Sequence, residues 1–406
     1  MKPTTDFTQR NVAIDILRAL TMLLMIFVND LWTISGYPEW LGHATRDQDM
    51  LGLADIVFPC FLFVVGMSIP FAIERRFSKE LSGVSTVGHI LTRSLALLLM
   101  GVFIVNTESG VSPATGFTMA TYRILMVAGF LLVWNVYPRS ENPNMNRLYT
   151  ALKGLGILIL IYLAIIFRDA EGGVFQARWW GILGLIGWTY LICALIYVFT
   201  RDRLKYLIPI WIIFVVLCIL KSTMRDGNVI LDLPHGNFLD EFLNILHVGK
   251  GALPAFTMGG IILSLVATKY THVNNNRKIL FAISSVALLL IAGFISHQFW
   301  IVSKLQDTPP WIFFCTAIAI GTYAIIYWLT EKGKAHWFNI IKTAGTATLT
   351  CYLVPYVTYS LTSIMGIQLP EWLTTGWMGI LNCIAYSFIA VGITWLLGKI
   401  HIKLKI

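Results

Sequence analysis

The chain has 406 residues, of which 57% are hydrophobic and 13% are charged, whereas soluble domains carry about 25% charged residues. Long apolar runs follow one another from Val12 to Leu397, which excludes a soluble enzyme with a single membrane anchor. The formal net charge of +9 needs no nucleic-acid partner if the cations are explained by membrane topology.

The apolar runs predict an all-α fold, a polytopic membrane bundle of about twelve helices, since about 20 apolar residues span a bilayer. We interpret the first run as a retained helix rather than a signal peptide, because it has no small-residue cleavage site. Gly259 and Gly260 favour close helix packing. The six cysteines all lie within apolar runs, without disulfide or metal-ligand spacing. The predicted spans are 11–29, 55–73, 88–106, 118–137, 151–167, 180–200, 206–221, 251–268, 279–299, 310–330, 340–364 and 377–398.

Alternate polar breaks between these spans differ sharply in lysine and arginine. One set holds 20 such residues and the opposite set holds seven, while Arg18, Arg93 and Arg123 lie inside predicted spans. The positive-inside rule places the richer set and both termini in the cytosol. Two breaks on the opposite side are long, residues 30–54 and 222–250, and we predict that these extracytoplasmic loops carry chemistry.

Four arginines lie toward the predicted cytosolic side of the bundle. A charge within an apolar span is costly and is typical of a paired or functional site. We therefore predict a site for the phosphates of a cytosolic ligand, formed by Arg18, Arg75, Arg76 and Arg93. For Arg18, neutralisation by Asp15 on the same helix face is an equal alternative.

Three polar residues bracket the first long loop: Asn29, His43 and Asp55. Asn29 and Asp55 are also typical of helix ends, where both residue types are favoured caps, and a single loop histidine is usually only solvated. As a set, however, they suit acyl transfer. A histidine takes the proton of the attacking group, a carboxylate fixes its tautomer, and an amide N–H stabilises the developing oxyanion.

The order of residues at this hairpin resembles the heparan-alpha-glucosaminide N-acetyltransferase family. The segments IDILRAL, MIFVND, a loop with HA, and ADIVFPCFLFVVGMS are similar to that family's LD-x-x-RG helix, FVN end, loop histidine and ADLVFPxFxFxxG helix, over residues 11–71. Weaker similarities occur near 89–101, 251–260, 304–317 and 345–354. The chain departs from the family at Ala19, where glycine is usual, in a loop two residues longer, and in predicting twelve spans where the family core has ten.

The resemblance implies a bacterial enzyme with one transmembrane acyltransferase domain, residues 1–406, that moves an acetyl group from cytosolic acetyl-CoA to an extracytoplasmic amino sugar. By position, it makes His43 the catalytic histidine, either a general base or a transient acetyl carrier. Asn29 and Asp55 correspond to the asparagine of the FVN element and the aspartate of the ADLVFP element, and Arg18 to the arginine of LD-x-x-RG. Acetyl-CoA is the expected co-substrate, and no metal is expected.

Two other functions are compatible with the same residues. A secondary transporter also has about twelve spans and charges within the membrane, and an O-acyltransferase of envelope polysaccharide would use a hydroxyl acceptor. The expected partners are membrane lipids, acetyl-CoA and an amino-sugar or glycan acceptor, without nucleic acid, and a homodimer is left open. Short inner loops and the lack of a targeting segment favour the bacterial cytoplasmic membrane, with the active-site loop on the periplasmic side.

Overall fold

The computed structural model describes residues 11–79, 81–138, 140–231, 237–245, 247–269 and 275–406. Residues 232–236 and 246 of the second long loop lie outside this description, as do residues 1–10. The described residues are helical without β-strands, as predicted. The helices are α1 Val12–Asp30, α2 Leu53–Phe77, α3 Gly83–Glu108, α4 Met119–Trp134, α5 Pro143–Ile166, α6 Gly181–Thr200, α7 Leu204–Lys221, α8 Phe238–Ile245, α9 Ala252–Lys269, α10 Asn275–His297, α11 Pro309–Glu331, α12 Phe338–Thr346, α13 Thr348–Ile364 and α14 Gly376–Lys399.

Within the described part of the chain, ten helices are long and apolar enough to cross a membrane. They are α1, α2, α3, α5, α6, α7, α9, α10, α11 and α14. The polytopic helical architecture predicted from the sequence is therefore confirmed. The number of helices that cross, and the side on which the termini lie, stay predictions.

The structure differs from the prediction of twelve long spans at two places. The predicted span 118–137 is the 16-residue helix α4, and the predicted span 340–364 is divided between α12 and α13. The division falls at Ala347, whose φ of −130° and ψ of 43° are not helical. The glycine and threonine residues around it have lower helix propensities than alanine. The Thr348 hydroxyl also donates to the Gly345 carbonyl at 3.2 Å.

The described residues form two compact units. Unit 1 contains the chain up to Thr21, Pro38–Ser94 and Trp188–Phe338, and unit 2 contains Met22–Tyr37, Leu95–Gly187 and Asn339–Ile406. Helices α1, α3 and α6 contribute residues to both units.

Close backbone packing joins α2 and α9 within unit 1. A Cβ added at Gly66 would lie 1.9 Å from the Thr257 carbonyl oxygen, and one added at Gly260 would lie 2.0 Å from the Phe63 carbonyl oxygen. Only glycine permits this approach, because no real side chain tolerates such distances. The packing predicted for Gly259 and Gly260 is thus confirmed, and it fixes α2 as the central support of unit 1.

The beginnings of helices α2, α9 and α11 lie close together. Near their first residues, Trp311 of α11 donates its indole N–H to the Asp55 carbonyl at 3.0 Å, and its ring packs edge-on against Phe256 of α9. Near the other end, Arg201 pairs with Glu74 at 2.7 Å. The two ends of α2 therefore present different chemistry, about 30 Å apart from Asp55 to Arg75 at 1.5 Å per residue.

Unit 2 is built from α4, α5, α13 and α14, from α12 after its first residue, and from parts of α1, α3 and α6. Its most buried acid is Asp30, the last residue of α1, which accepts a hydrogen bond from the Tyr359 hydroxyl at 2.5 Å. The Tyr359 ring stacks on Tyr386 of α14 at 5.4 Å between centroids. This network ties the end of α1 to α13 and α14.

Candidate active site

The loop before α2 folds back onto the first turn of that helix. Gly52 precedes α2, and a Cβ added there would lie 2.1 Å from the Gly42 carbonyl oxygen. The two glycines therefore let the loop backbone close tightly. Since His43 directly follows Gly42, this close approach places its side chain beside the start of α2.

His43 and Asp55 form the central pair of the site. The Nδ1 atom of His43 lies 2.7 Å from the Asp55 Oδ1 atom, and the other carboxylate oxygen of Asp55 accepts the Ala44 backbone N–H at 2.9 Å. The Asp55 side chain is only 1% exposed, whereas that of His43 is 50% exposed. Asp55 is the third residue of α2, after the N-cap Gly52, so its side chain binds the loop rather than capping the helix.

This geometry favours one tautomer of His43. A carboxylate only accepts hydrogen bonds, so the nitrogen that faces Asp55 carries the proton. The lone pair is then on Nε2, and the side chain as a whole is half exposed. An imidazole held in this way presents a base, or a nucleophile, to a group arriving at the surface of the loop.

Lys304 is the third member of the site. Its Nζ atom lies 3.8 Å from Asp55 Oδ1 and 3.4 Å from His43 Nδ1. Asp55 is the nearer partner of Nδ1, so the lysine acts on the pair mainly through its charge. Burial lowers the pKa of Lys304, and the neighbouring carboxylates of Asp55 and Asp307 oppose that shift.

Asp307 and Lys250 lie close to Lys304. Asp307 is on the same loop as Lys304, whereas Lys250 is on the loop before α9. Burial raises the pKa of Asp307 to about 6, while Lys250 and Lys304 oppose the shift. Lys250 donates to the Gln306 carbonyl at 2.8 Å, and burial lowers its pKa as well. The backbone carbonyl of Asp307 accepts the Ser222 hydroxyl at 3.1 Å, which links this loop to the end of α7.

Hydrogen bonds to Asp49 hold the His43 loop against two other loops. It accepts hydrogen bonds from the Arg225 guanidinium at 2.5 Å, the Val302 amide at 2.8 Å and Nε2 of His297 at 2.9 Å. Partial burial alone would raise the pKa of Asp49, but these hydrogen bonds outweigh it and hold that pKa below its ordinary value. The segment that carries His43 is therefore held in place at a point six residues before Asp55.

The other predicted catalytic residue, Asn29, belongs to unit 2. It is the penultimate residue of α1 and its side chain is exposed, whereas its neighbour Asp30 is buried. The structure thus joins His43 with Asp55 inside unit 1, and the role of Asn29 stays a prediction.

All four predicted phosphate-binding arginines belong to unit 1. Arg18 pairs with Asp15 at 3.2 Å, as expected from their spacing, and also donates to the Ser68 hydroxyl at 2.7 Å. Arg75 and Arg76 lie in the last turn of α2.

Two of these arginines have donor capacity left over. Arg93 stacks over the Tyr190 ring at 4.8 Å, and Arg76 donates to the Ser85 carbonyl at 3.2 Å. The Nε atoms of Arg76 and Arg93 are buried and make no hydrogen bond within the described residues. A buried donor of this kind is costly unless a ligand satisfies it, and an anion would do so.

The cysteines take no part in this chemistry. All six are free and buried, as the apolar runs predict. Within the described residues, no group of three or more His, Cys, Asp or Glu side chains has the geometry to hold a metal ion.

Comparison with known proteins finds similarity over the segment that contains His43 and Asp55. A family model described as heparan-alpha-glucosaminide N-acetyltransferase, catalytic, matches residues 10–117. The resemblance is thereby confirmed. Heparan-alpha-glucosaminide N-acetyltransferase of Mus musculus is 34% identical over 101 residues, which are 25% of this chain and 14% of that protein. The Homo sapiens protein of the same name is 32% identical over 102 residues, again 25% of this chain and 14% of the relative.

The similarity to heparan-alpha-glucosaminide N-acetyltransferase includes every residue predicted for the site. His43, Asp55 and Asn29 lie in the matched segment, as do the four arginines. Lys304, Lys250 and Asp307 lie outside it. Nothing in the residue spacing predicts that Lys304, 261 positions beyond His43, completes the site; its signal in the sequence is a weak similarity over residues 304–317.

Proposed function

We propose that the protein is a membrane-embedded acetyltransferase that moves an acetyl group from acetyl-CoA to the amine of a glucosamine-type acceptor. The observation that carries the proposal is the His43–Asp55 pair, which lies in the segment similar to heparan-alpha-glucosaminide N-acetyltransferases. An amine acceptor is protonated at neutral pH, so the reaction needs a base. Nε2 of His43, whose side chain is half exposed, is suited to that task.

In direct transfer, the acceptor first loses one proton to solvent and becomes the neutral amine. Its nitrogen then attacks the thioester carbonyl carbon while Nε2 of His43 takes a second proton from that nitrogen. The C–S bond then breaks, and His43 returns the proton to the departing sulfur, which leaves as the thiol of CoA. Asp55 holds the ring orientation and stabilises the imidazolium that forms. In this proposal Asn29 donates its amide N–H to the carbonyl oxygen as negative charge develops there.

In the alternative order, Nε2 attacks the thioester carbonyl carbon, the C–S bond breaks, and CoA leaves as its thiolate, so that the ring carries the acetyl group. The neutral acceptor amine then attacks the acetyl carbon, the bond to Nε2 breaks, and the amine loses a proton to solvent. Both orders use the same nitrogen and the same aspartate. Labelled acetyl-CoA supplied without acceptor separates them, because only the second order leaves one acetyl group on the protein.

The proposal places the CoA phosphates at the other end of unit 1. Arg18, Arg75, Arg76 and Arg93 supply the cations there, and unused buried donors on Arg76 and Arg93 support anion binding. The pantetheine arm then has to extend toward His43 along the direction of α2. This arrangement suits a donor and an acceptor on opposite sides of a membrane, with the His43 loop periplasmic and both termini cytosolic in a bacterial cytoplasmic membrane.

The test is acetyl transfer by the purified full-length protein. Acetyl-CoA and glucosamine are supplied, and mass spectrometry follows the acetylated product of wild type, His43→Ala and His297→Ala. His43→Ala is expected to lose at least 10²-fold in rate, whereas His297→Ala, which removes the histidine that binds Asp49 at the end of α10, keeps most of it. A rate near wild type for His43→Ala would remove the mechanism.

Two outcomes with wild type decide between the remaining functions. Acetylation of a sugar alcohol in preference to glucosamine would make the protein an O-acyltransferase. Failure of acetyl-CoA to bind, measured as the absence of any thermal shift, would favour a transporter.

A further inference from the structure

A cavity of about 640 Å³ lies between α9, α10 and α11, away from the His43 loop. Most of its wall is apolar, with contributions from Leu263, Val266, Phe281 and Ile320. The wall therefore offers a poor surface to a hydrated ion and a good one to a hydrocarbon chain.

One end of the cavity is cationic. Arg277 and Lys278 come from the first turn of α10 and Lys332 follows the end of α11, while Glu331 is the one acid in the lining of this cavity. The Lys278 ammonium donates to the Tyr327 hydroxyl at 3.3 Å and lies 5.5 Å from the centre of that ring. Three cations against one carboxylate leave this end with an excess of positive charge.

The cavity opens beside surfaces that a bilayer would cover. Leu280 and Ile283 of α10 are 66% and 60% exposed, and Trp328 of α11 is 46% exposed. Helix α10 is apolar and long enough to span a membrane, yet only 11% of its most apolar window is buried by the protein. Its exposed side is therefore a lipid-facing surface, with Trp328 near the helix end as in an interfacial aromatic anchor.

We propose that this groove binds an anionic phospholipid. The phosphate lies among Arg277, Lys278 and Lys332, and the acyl chains follow the apolar wall along α9 and α10. Basic pockets between membrane helices recognise acidic headgroups in this way. The length of apolar wall favours a lipid over free phosphate or CoA, and the inference does not depend on acetyl transfer.

Native mass spectrometry of the lipid-depleted full-length protein tests the proposal. Phosphatidylglycerol and phosphatidylcholine with identical acyl chains are added in turn, and the bound fraction is measured. Wild type is expected to bind phosphatidylglycerol about tenfold better, a difference of about 1.4 kcal/mol. The variant R277Q/K278Q/K332Q is expected to lose that preference, whereas R203Q/K205Q/K399Q, which removes three cations elsewhere, keeps it.

A second variant tests the cavity with its charges intact. Ala324 lines the wall, and Ala324→Phe fills it, so both lipids are expected to bind more weakly. Unfolding midpoints in a zwitterionic detergent verify that the variants fold, and either folded variant is sufficient for the test. Wild-type binding by a folded variant would overturn the proposal, as would displacement of the lipid by inorganic phosphate or by CoA at equal concentration.

Discussion

Within the described residues, two histidines pair with aspartates, and only one of these pairs is part of the proposed chemistry. Asp55 is 1% exposed and faces Nδ1 of His43 at 2.7 Å, so Nε2 is left for a substrate. Asp49 faces Nε2 of His297 at 2.9 Å and is also bound by Arg225 at 2.5 Å. The same residue types therefore supply the base of the proposed reaction in one pair and hold loops together in the other.

The difference lies in which nitrogen is bound and in what neutralises the acid. Asp49 accepts hydrogen bonds from a guanidinium and a backbone amide, so His297 is one of three donors to this carboxylate. Asp55 has the Ala44 amide and a lysine ammonium at 3.8 Å. His43 is its closest charged or polar side-chain partner, which lets the carboxylate control that ring.

The largest effect is expected from Asp55→Asn. An amide can present its N–H to Nδ1, which would move the ring proton to Nε2 and remove the base. We expect the kcat/KM of acetyl transfer to fall by about 10²- to 10⁴-fold, as measured by product formation at saturating acetyl-CoA.

Asp49→Asn is the matched control, because it changes the same atoms in the other pair. We expect its kcat/KM to stay within about threefold of wild type. If Asp55→Asn and Asp49→Asn lowered the rate equally, the assignment of catalysis to the His43–Asp55 pair alone would be wrong.

The second prediction concerns the stability that the Asp49 pair provides. Asp49→Ala leaves Arg225 and His297 without their acceptor, so we expect the free energy of unfolding to fall by about 2 kcal/mol. Because the folded-state pKa of Asp49 is lowered, its contribution is present above the ordinary pKa of about 4 and is lost as the pH falls below it. Thermal unfolding midpoints at pH 7 and pH 3.5 measure both effects; an equal acid loss in Asp49→Ala and wild type would contradict the assignment.

The third prediction compares two half-buried lysines. Lys304 lies 3.8 Å from Asp55, whereas Lys250 donates to a backbone carbonyl. Lys304→Met removes the cation next to the His43–Asp55 pair and is expected to lower kcat/KM about tenfold, or about 1.4 kcal/mol. Lys250→Met is expected to leave the rate within about twofold. The opposite order of the two rates would assign the electrostatic role to Lys250.

The sequence predicts the features that depend on the length of apolar runs or on residues close together in the chain. Helix positions follow from the length of the apolar runs, and the Asp15–Arg18 pair follows from helical spacing. The His43–Asp55 pair is also predicted, because the two residues are only 12 positions apart in the chain.

Contacts between distant loops are not predictable from such patterns. Lys304 and Asp307 reach the site through loop packing after α10, and no periodicity encodes that packing. The break at Ala347 is similar, because the apolar run continues through it and only the local backbone interrupts the helix. The burial of Asp30, the neighbour of Asn29, is not predictable for a related reason. Its hydrogen-bond partner Tyr359 lies 329 residues away in the chain.

The smallest effect is expected from Asp307→Asn, and its sign is opposite to that of Asp49. Burial raises the folded-state pKa of Asp307 from 3.8 to about 6, so between these values the folded protein binds more protons than the unfolded chain. The free energy of unfolding therefore decreases as the pH rises through this window. After allowance for solvent contact, we expect a change on the order of 1 kcal/mol. Unfolding midpoints measured between pH 4.5 and 6.5 should fall less steeply in Asp307→Asn than in wild type. Asp49 titrates below this window and does not affect the slope. An unchanged slope would show that the fold does not raise the pKa of Asp307.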